Sequence, residues 1–398
     1  FTMNHALIDQ AFRQGEGVLL LCPNWIPRPL LAAGRRLRLA PEDYSKLGLK
    51  RGQICERWFS ATARAETGPD APEDEGLSYV YVDGERVLFR DCVEYLGAAL
   101  VGPELWERYH GFPMFSKFYD YKPESFHHLH PKEEDAAKVG AKSKPEAYYF
   151  PMEMNLSLGD APVTYFGFDP SVTKEEILER LSLYELRENK LTELSRAFRL
   201  ELGTGWYTAP GVLHACGSLC TYEPQWMSES CSLWENYTPG SSVAPYEELV
   251  AKVPEDKKRD MEYIYSLMDE DANFDPEYRK HYFRRPVVEI ETDQYVQKWI
   301  TYGNPYIAAK ELRIKPGQTV VIKDRAAYGC ILIQGYGKFG AHKCEAPNVI
   351  RYGEQTYDEF FVSEATAQKG IVIENHSNQE LVMLKHFCHN AGAPDAGN

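Results

Sequence analysis

Short apolar runs broken by turn residues constrain this fold more than any other feature. Over 112–158, aliphatic or aromatic runs alternate with turn residues. The pattern resumes at Phe198-Arg199-Leu200-Glu201-Leu202, turns at Gly203-Thr204-Gly205 and continues as Trp206-Tyr207-Thr208. A second series fills 287–388, with runs at 307–312, 318–322, 329–333, 359–362, 370–375 and 381–384. Runs of this length and spacing, separated by Gly turns, predict the strands of a small sandwich or barrel. The 26 Tyr and 18 Phe agree, since aromatic side chains suit a half-buried pleated surface. One further strand is predicted over 52–63, around Glu56-Arg57-Trp58-Phe59. Helical spacing is confined to a few places. Residues 92–100 have it, as do the opening of 1–30, 245–253 and 255–270. The clearest case starts at Thr173, which forms a T-x-x-E capping box with Glu176. Ile177, Leu178, Leu181 and Tyr184 follow at helical intervals and predict a helix over about 173–198.

Composition excludes some functions. A chain of 398 residues has room for two or three domains, each with its own core. The net charge of −15 argues against a nucleic-acid partner. The densest basic run, Arg35-Arg36-Leu37-Arg38, reads as a solvated patch or an anchor for nearby acids. No apolar stretch approaches the ~20 residues of a membrane span. Nine cysteines, an odd number without a CxxC pair, read as reduced thiols and predict a cytoplasmic protein.

Chemistry concentrates in four residues. His128 and His130 form an H-x-H pair in Phe126-His127-His128-Leu129-His130-Pro131. Residues i and i+2 of a strand share a face, so the pair aims two imidazoles at one point, while His127 points away. An H-x-H pair alone is more often two histidines satisfied by their neighbours. Glu146 and His214, on other predicted strands, would complete a shell of three nitrogens and one oxygen for a divalent transition metal.

These residues also carry a resemblance. Glu56-Arg57-Trp58, Phe112-Pro113-Met114-Phe115-Ser116-Lys117-Phe118, His128-Leu129-His130-Pro131, Lys144-Pro145-Glu146-Ala147-Tyr148-Tyr149, Phe166-Gly167-Phe168 with the helix start at Thr173, Pro210-Gly211-Val212-Leu213-His214-Ala215 and Glu223-Pro224-Gln225-Trp226 stand in one order. That order resembles the type I phosphomannose isomerases of the cupin superfamily, over about residues 25–237. The resemblance implies a mainly β fold of two cupin (jelly-roll β-barrel) domains with helical insertions and a helical linker. Its expected division is 1–240 for the cupin domain with the metal site, 241–286 for the linker, 287–390 for a second, degenerate cupin and 391–398 for a tail. In that second domain Lys323-Asp324-Arg325 stands where an H-x-H pair would be.

The resemblance also implies an aldose–ketose isomerase acting on a small-molecule sugar, and it leaves room for a homodimer. The cofactor would be one divalent metal at His128, His130, Glu146 and His214, zinc first, with Fe, Mn, Co or Ni as other occupants. By position Glu223 would be the base, and Lys144 and Lys117 would stabilise negative charge. Two departures stand out. His128 replaces the family's glutamine, and Leu233 replaces an arginine, which opens the question of a phosphate on the substrate. Arg35, Arg36, Arg38, Arg284 and Arg285 are candidates to supply the missing cation. Trp206, Tyr148, Trp226 and Trp234 flank the ligand segments and would either stack on a sugar or pack in the core. Two rivals keep the metal site: an Fe(II) cupin dioxygenase and a non-catalytic sugar-binding bicupin.

Overall fold

The computed structural model of the chain describes residues 2–157 and 159–397. Phe1, Leu158 and Asn398, which end three of the predicted segments, lie outside them. Antiparallel strands dominate, in two pairs of sheets. In the N-terminal half a seven-stranded sheet runs, in spatial order, Phe283–Arg284, Gly205–Thr208, Glu146–Tyr149, Thr221–Trp226, Met114–Tyr119, Gln53–Phe59 and Trp25–Arg28. Across it lies a five-stranded sheet of Ser195–Arg199, Val163–Phe168, His214–Ala215, His128–Leu129 and Ser232–Leu233. The predicted jelly-roll architecture is thus present as facing sheets, and neither sheet closes into a ring.

The C-terminal half repeats the plan. Its seven-stranded sheet contains Glu359–Val362, Tyr328–Gln334, Leu381–Cys388, Ile307–Ile314, Tyr295–Thr301 and Val287–Glu291. Its seventh strand is Val18–Leu20, from the start of the chain, which pairs with Glu359–Val362. A four-stranded sheet of Thr319–Ile322, Ile371–Asn375, Tyr336–Phe339 and His342–Glu345 covers it.

The two large sheets pack on each other. Ile54, Phe59, Phe118 and Tyr222 share one core with Ile331, Ile333, Val382 and Leu384. A buried bidentate pair, Arg57 to Asp358, crosses the same junction with both N–O distances at 2.8 Å. Among the described residues no helix is long and apolar enough to cross a membrane.

Helices depart from expectation in length. The capping box at Thr173 and Glu176 is formed, but the helix runs only over Lys174–Ser182. Arg180 donates to the carbonyls of Asn189 and Lys190, and Asn189 is tied to Trp234 and Asn236, so the chain is drawn out of the helix. The next strand accordingly starts at Ser195, earlier than predicted, and pairs with Val163–Phe168. The helices predicted over 245–253 and 255–270 shrink to Tyr246–Leu249 and Met261–Ser266. Ile264 and Tyr265 of the second join Ile177 and Leu181 in a satellite core beside the five-stranded sheet.

Candidate metal centre

The site lies between the two N-terminal sheets. The five-stranded sheet contributes three imidazoles. His128 and His214 are directly paired across neighbouring strands, so their rings stand side by side, with centroids 4.1 Å apart. His130 follows His128 by two residues, and its ring centroid is 5.2 Å from the first and 5.0 Å from the second. A turn sets the approach to His214. Gly211 has a φ of +80°, and its N–H donates to the His130 carbonyl at 2.8 Å, so one backbone contact joins the two ligand segments. The facing sheet contributes Glu146, flanked in register by Thr208 and Gln225.

The hydrogen bonds fix the chemistry of the three rings. Nδ1 of His128 is 2.6 Å from the Phe126 carbonyl, that of His130 is 2.7 Å from the Ser230 carbonyl, and that of His214 is 2.8 Å from the Val212 carbonyl. A carbonyl oxygen only accepts, so each Nδ1 carries the proton. Each Nε2 of a neutral ring is then a bare lone pair. Backbone carbonyls orienting imidazoles in this way are the usual support of a metal-binding histidine.

Those lone pairs face a carboxylate. Nε2 of His214 is 2.9 Å from Glu146 Oε1, and Nε2 of His130 is 3.2 Å from Glu146 Oε2. Such contacts are ion pairs only if the rings are protonated. Burial opposes that: it pushes His130 down to about 4, and burial with the two neighbouring rings holds His128 well below the usual histidine range. Nε2 of His130, Nε2 of His214 and Oε2 of Glu146 are buried without a hydrogen-bond partner. Lone pairs crowded at these distances repel unless a cation lies among them. One donor atom from each of His128, His130, Glu146 and His214 falls within 4.8 Å of all the others. Ligand bonds of about 2.0–2.1 Å put the edge of a tetrahedron at about 3.4 Å; the two imidazole–carboxylate contacts, 2.9 and 3.2 Å, lie near that edge, and the donor types suit one transition-metal ion.

Glu146 is held as a carboxylate. Burial pushes it up, but the Lys144 ammonium, 3.0 Å from Oε2, outweighs burial and holds it well below the usual carboxylate range. Tyr148 also donates to Oε1 at 3.0 Å.

Beside the cluster a cavity of about 270 Å³ opens, lined by His128, His130, Lys117, Lys144 and Glu223 among others. Glu223 is directly paired with Lys117 across the ladder. Its Oε2 is 3.2 Å from the Lys117 ammonium and 3.6 Å from that of Lys144. Neither contact is aligned as a hydrogen bond, and Oε2 lacks a hydrogen-bond partner. Burial, then the Glu146 charge, push the Glu223 carboxyl above its ordinary value against the pull of the two lysines. Both lysines are held above the ordinary lysine value by their carboxylate partners, against burial.

The resemblance assigns no role to part of this machinery. Glu56 is fully buried, accepts from Trp58 Nε1 and Tyr121 at 3.0 and 2.9 Å, and forms an ion pair with Lys117 at 3.0 Å. Arg28 pairs with Glu56 and also with Glu229 at 3.2 Å. The aromatics proposed for stacking do not reach the cavity. Trp206, Tyr148 and Trp234 are buried in the core, and Trp226 lines a separate groove. The aromatic wall is instead Tyr119, Tyr121 and Phe126. His127 points away as expected, with Nδ1 2.9 Å from Glu235. In the C-terminal half, Asp324 of the Lys323-Asp324-Arg325 segment is buried between the ammonium groups of Lys310 and Lys385, at 2.7 Å from each.

No protein-family model and no curated protein matches the chain. Solved structures do. Mannose 6-phosphate isomerase from Bacillus subtilis aligns over 93% of this chain and 99% of its own, with a TM-score of 0.57 and 16% identity. A mutant of phosphomannose isomerase from Salmonella typhimurium aligns over 94% of this chain and 100% of its own, at a TM-score of 0.60 and 11% identity. The fold is that of the phosphomannose isomerases. A mannose 6-phosphate isomerase bound with zinc and yttrium gives a TM-score of 0.59 at 11% identity, over 92% of this chain and 99% of its own. The phosphomannose isomerase fold therefore extends through both halves of the chain, including the C-terminal half, where the sequence motifs thin out.

Proposed function

We propose that the protein is a metal-dependent sugar isomerase interconverting an aldose and a ketose. The observation that carries this reading is the position of Glu223, facing a cavity between two ammonium groups and beside four metal-type donors. His128, His130, Glu146 and His214 would hold one divalent ion, zinc first. When bound, such an ion supplies Lewis-acid polarisation of the sugar's C1 and C2 oxygens.

Glu223 then has the role of base. It takes the proton from C2 as the C–H pair moves into the C1–C2 bond and the C1 carbonyl pair moves onto O1; the O2 hydroxyl proton passes to O1, and Glu223 returns its proton to C1 as the carbonyl forms at C2. A buried carboxyl with its proton affinity raised is suited to both halves of that transfer. Lys144 and Lys117 hold positive charge at the oxygen that becomes negative in between. Arg28, Glu56 and Glu229 keep Lys117 in place from behind.

The test is a screen of aldoses and ketoses with protein reconstituted with Zn, Mn, Fe, Co or Ni, run in deuterated water. Isomerisation with solvent deuterium entering at C1 or C2 is the expected result. Iron-dependent oxygen uptake with no isomerisation of any sugar would replace the reading with a dioxygenase.

A further inference from the structure

We infer that the site takes a sugar that carries no phosphate; this rests on the isomerase reading above. A phosphate dianion is held most strongly by charge-assisted hydrogen bonds from free cations and is repelled by carboxylates. Among the described residues the cations lining the cavity are Arg28, Lys117 and Lys144. Each is already engaged by two carboxylates. Arg28 pairs with Glu56 and Glu229, Lys117 with Glu56 and Glu223, and Lys144 with Glu146 and Glu223.

The rest of the lining adds negative charge. Glu66 and Glu248 also face the cavity, so three cations meet six carboxylates once Glu56 and Glu146 are included. A divalent ion at the histidine cluster would still leave no surplus of positive charge. Lys252, next to Ala251 of the lining, is paired with Glu66 at 3.4 Å. Leu233 lines the wall with Leu30 and Leu31.

The five arginines that the sequence offers for the missing cation are engaged elsewhere. Arg36 is bound to Asp120 and the Ser218 carbonyl, and Arg38 to the Ile333 carbonyl. Arg284 is bound to the carbonyls of Tyr302 and His281. Arg35 lies over Tyr44 and Arg285 over Phe283. None of the five lines the cavity. Carboxylates along a wall suit a neutral polyol instead, since each can accept from two hydroxyls. At about 270 Å³ the cavity has room for one small sugar.

The experiment compares free and phosphorylated partners on the metal-loaded full-length protein: mannose against mannose 6-phosphate, and fructose against fructose 6-phosphate. Like charges brought together at a site cost enough to predict a preference of about 100-fold in kcat/KM for the free sugars. Calorimetric binding of the same pairs is measured alongside. Faster turnover or tighter binding of the phosphorylated members overturns the inference while leaving the isomerase reading intact. Tighter binding of the free sugars without turnover upholds the substrate class and counts against the isomerase reading alone. A Glu66→Lys/Glu248→Lys variant, altered only at the cavity rim, should narrow the preference more than about tenfold. A preference unchanged in that variant would overturn the electrostatic basis of the inference.

Discussion

Arg57 tests how the strand beside the candidate site is held. It neighbours Glu56 on Gln53–Phe59, and consecutive strand residues point to opposite faces. Glu56 therefore reaches Lys117 in the site, while Arg57 reaches the C-terminal half. Its fork meets both oxygens of Asp358 at 2.8 Å, with 4% and 3% of the two side chains exposed. The guanidinium also lies over the rings of Trp25 and Phe59, at 5.6 and 5.4 Å. In Arg57→Met, Asp358 stays buried with only the Thr356 hydroxyl donating to it. Leaving one charge of a buried pair uncompensated costs about 3–5 kcal/mol. That raises the unfolding constant by about 10²–10⁴-fold, using about 1.4 kcal/mol per decade. Urea denaturation followed by tryptophan fluorescence reads the change. Arg57→Met/Asp358→Leu should recover most of it, because Asp358 no longer leaves a charge unpaired and Glu359, 3.7 Å from Arg57, is already pushed up to about 8 by burial. A loss below about 1 kcal/mol in the single variant, as for an exposed pair, would refute the reasoning.

Two further predictions concern the site and the junction. Glu223→Gln should lower kcat by about 10²–10⁴-fold, the range of a lost general base, with metal content unchanged. Retention of more than about half the activity would remove Glu223 from proton transfer. At the junction, His386 is buried with Nδ1 against Ser116, and burial pushes it down to about 3. Unfolded, it titrates near about 6.5, so between the two values only the unfolded chain binds the proton and stability rises with pH. Its contribution is complete above about pH 6.5 and is lost toward pH 3, at about 1.4 kcal/mol per unit. Stability curves of His386→Gln should be flatter over that window, and a slope equal to that of the parent protein would show the ring is not held neutral.

Much of the architecture is legible in the residues, and the limits have physical causes. Strands buried on the core side announce themselves. Glu359–Val362 has the predicted bounds, and Ile371–Asn375 and Thr319–Ile322 fall within a residue of theirs. Val287–Glu291 escaped because it is an exposed edge strand whose charges interrupt its apolar residues. Tyr336–Phe339 escaped because Gly337 looks like a turn; in fact it lets the strand pass against Glu374, whose carbonyl lies 1.8 Å from where a Cβ would sit. The helix from Thr173 stopped early because its end is decided by Asn189 bonding to Trp234, a tertiary contact that helical periodicity does not register.

The same division runs through the site. His128, His130, Glu146 and His214 come together as their strand spacing and order suggest, and Lys117, Lys144 and Glu223 join them. Arg28 and Glu229 belong to the same network but stand 201 residues apart, so no local pattern links them. The tryptophans were the reverse case: near the ligands in sequence, yet Trp206 and Trp234 point into the core.

The metal content of the purified, reconstituted protein tests the account most directly. About one tightly held divalent ion per chain is expected, lost in His130→Ala and His214→Ala while circular dichroism still reports a folded β protein. Protein that holds no ion after exposure to zinc, manganese, iron, cobalt and nickel, or variants that keep a full complement, would contradict it.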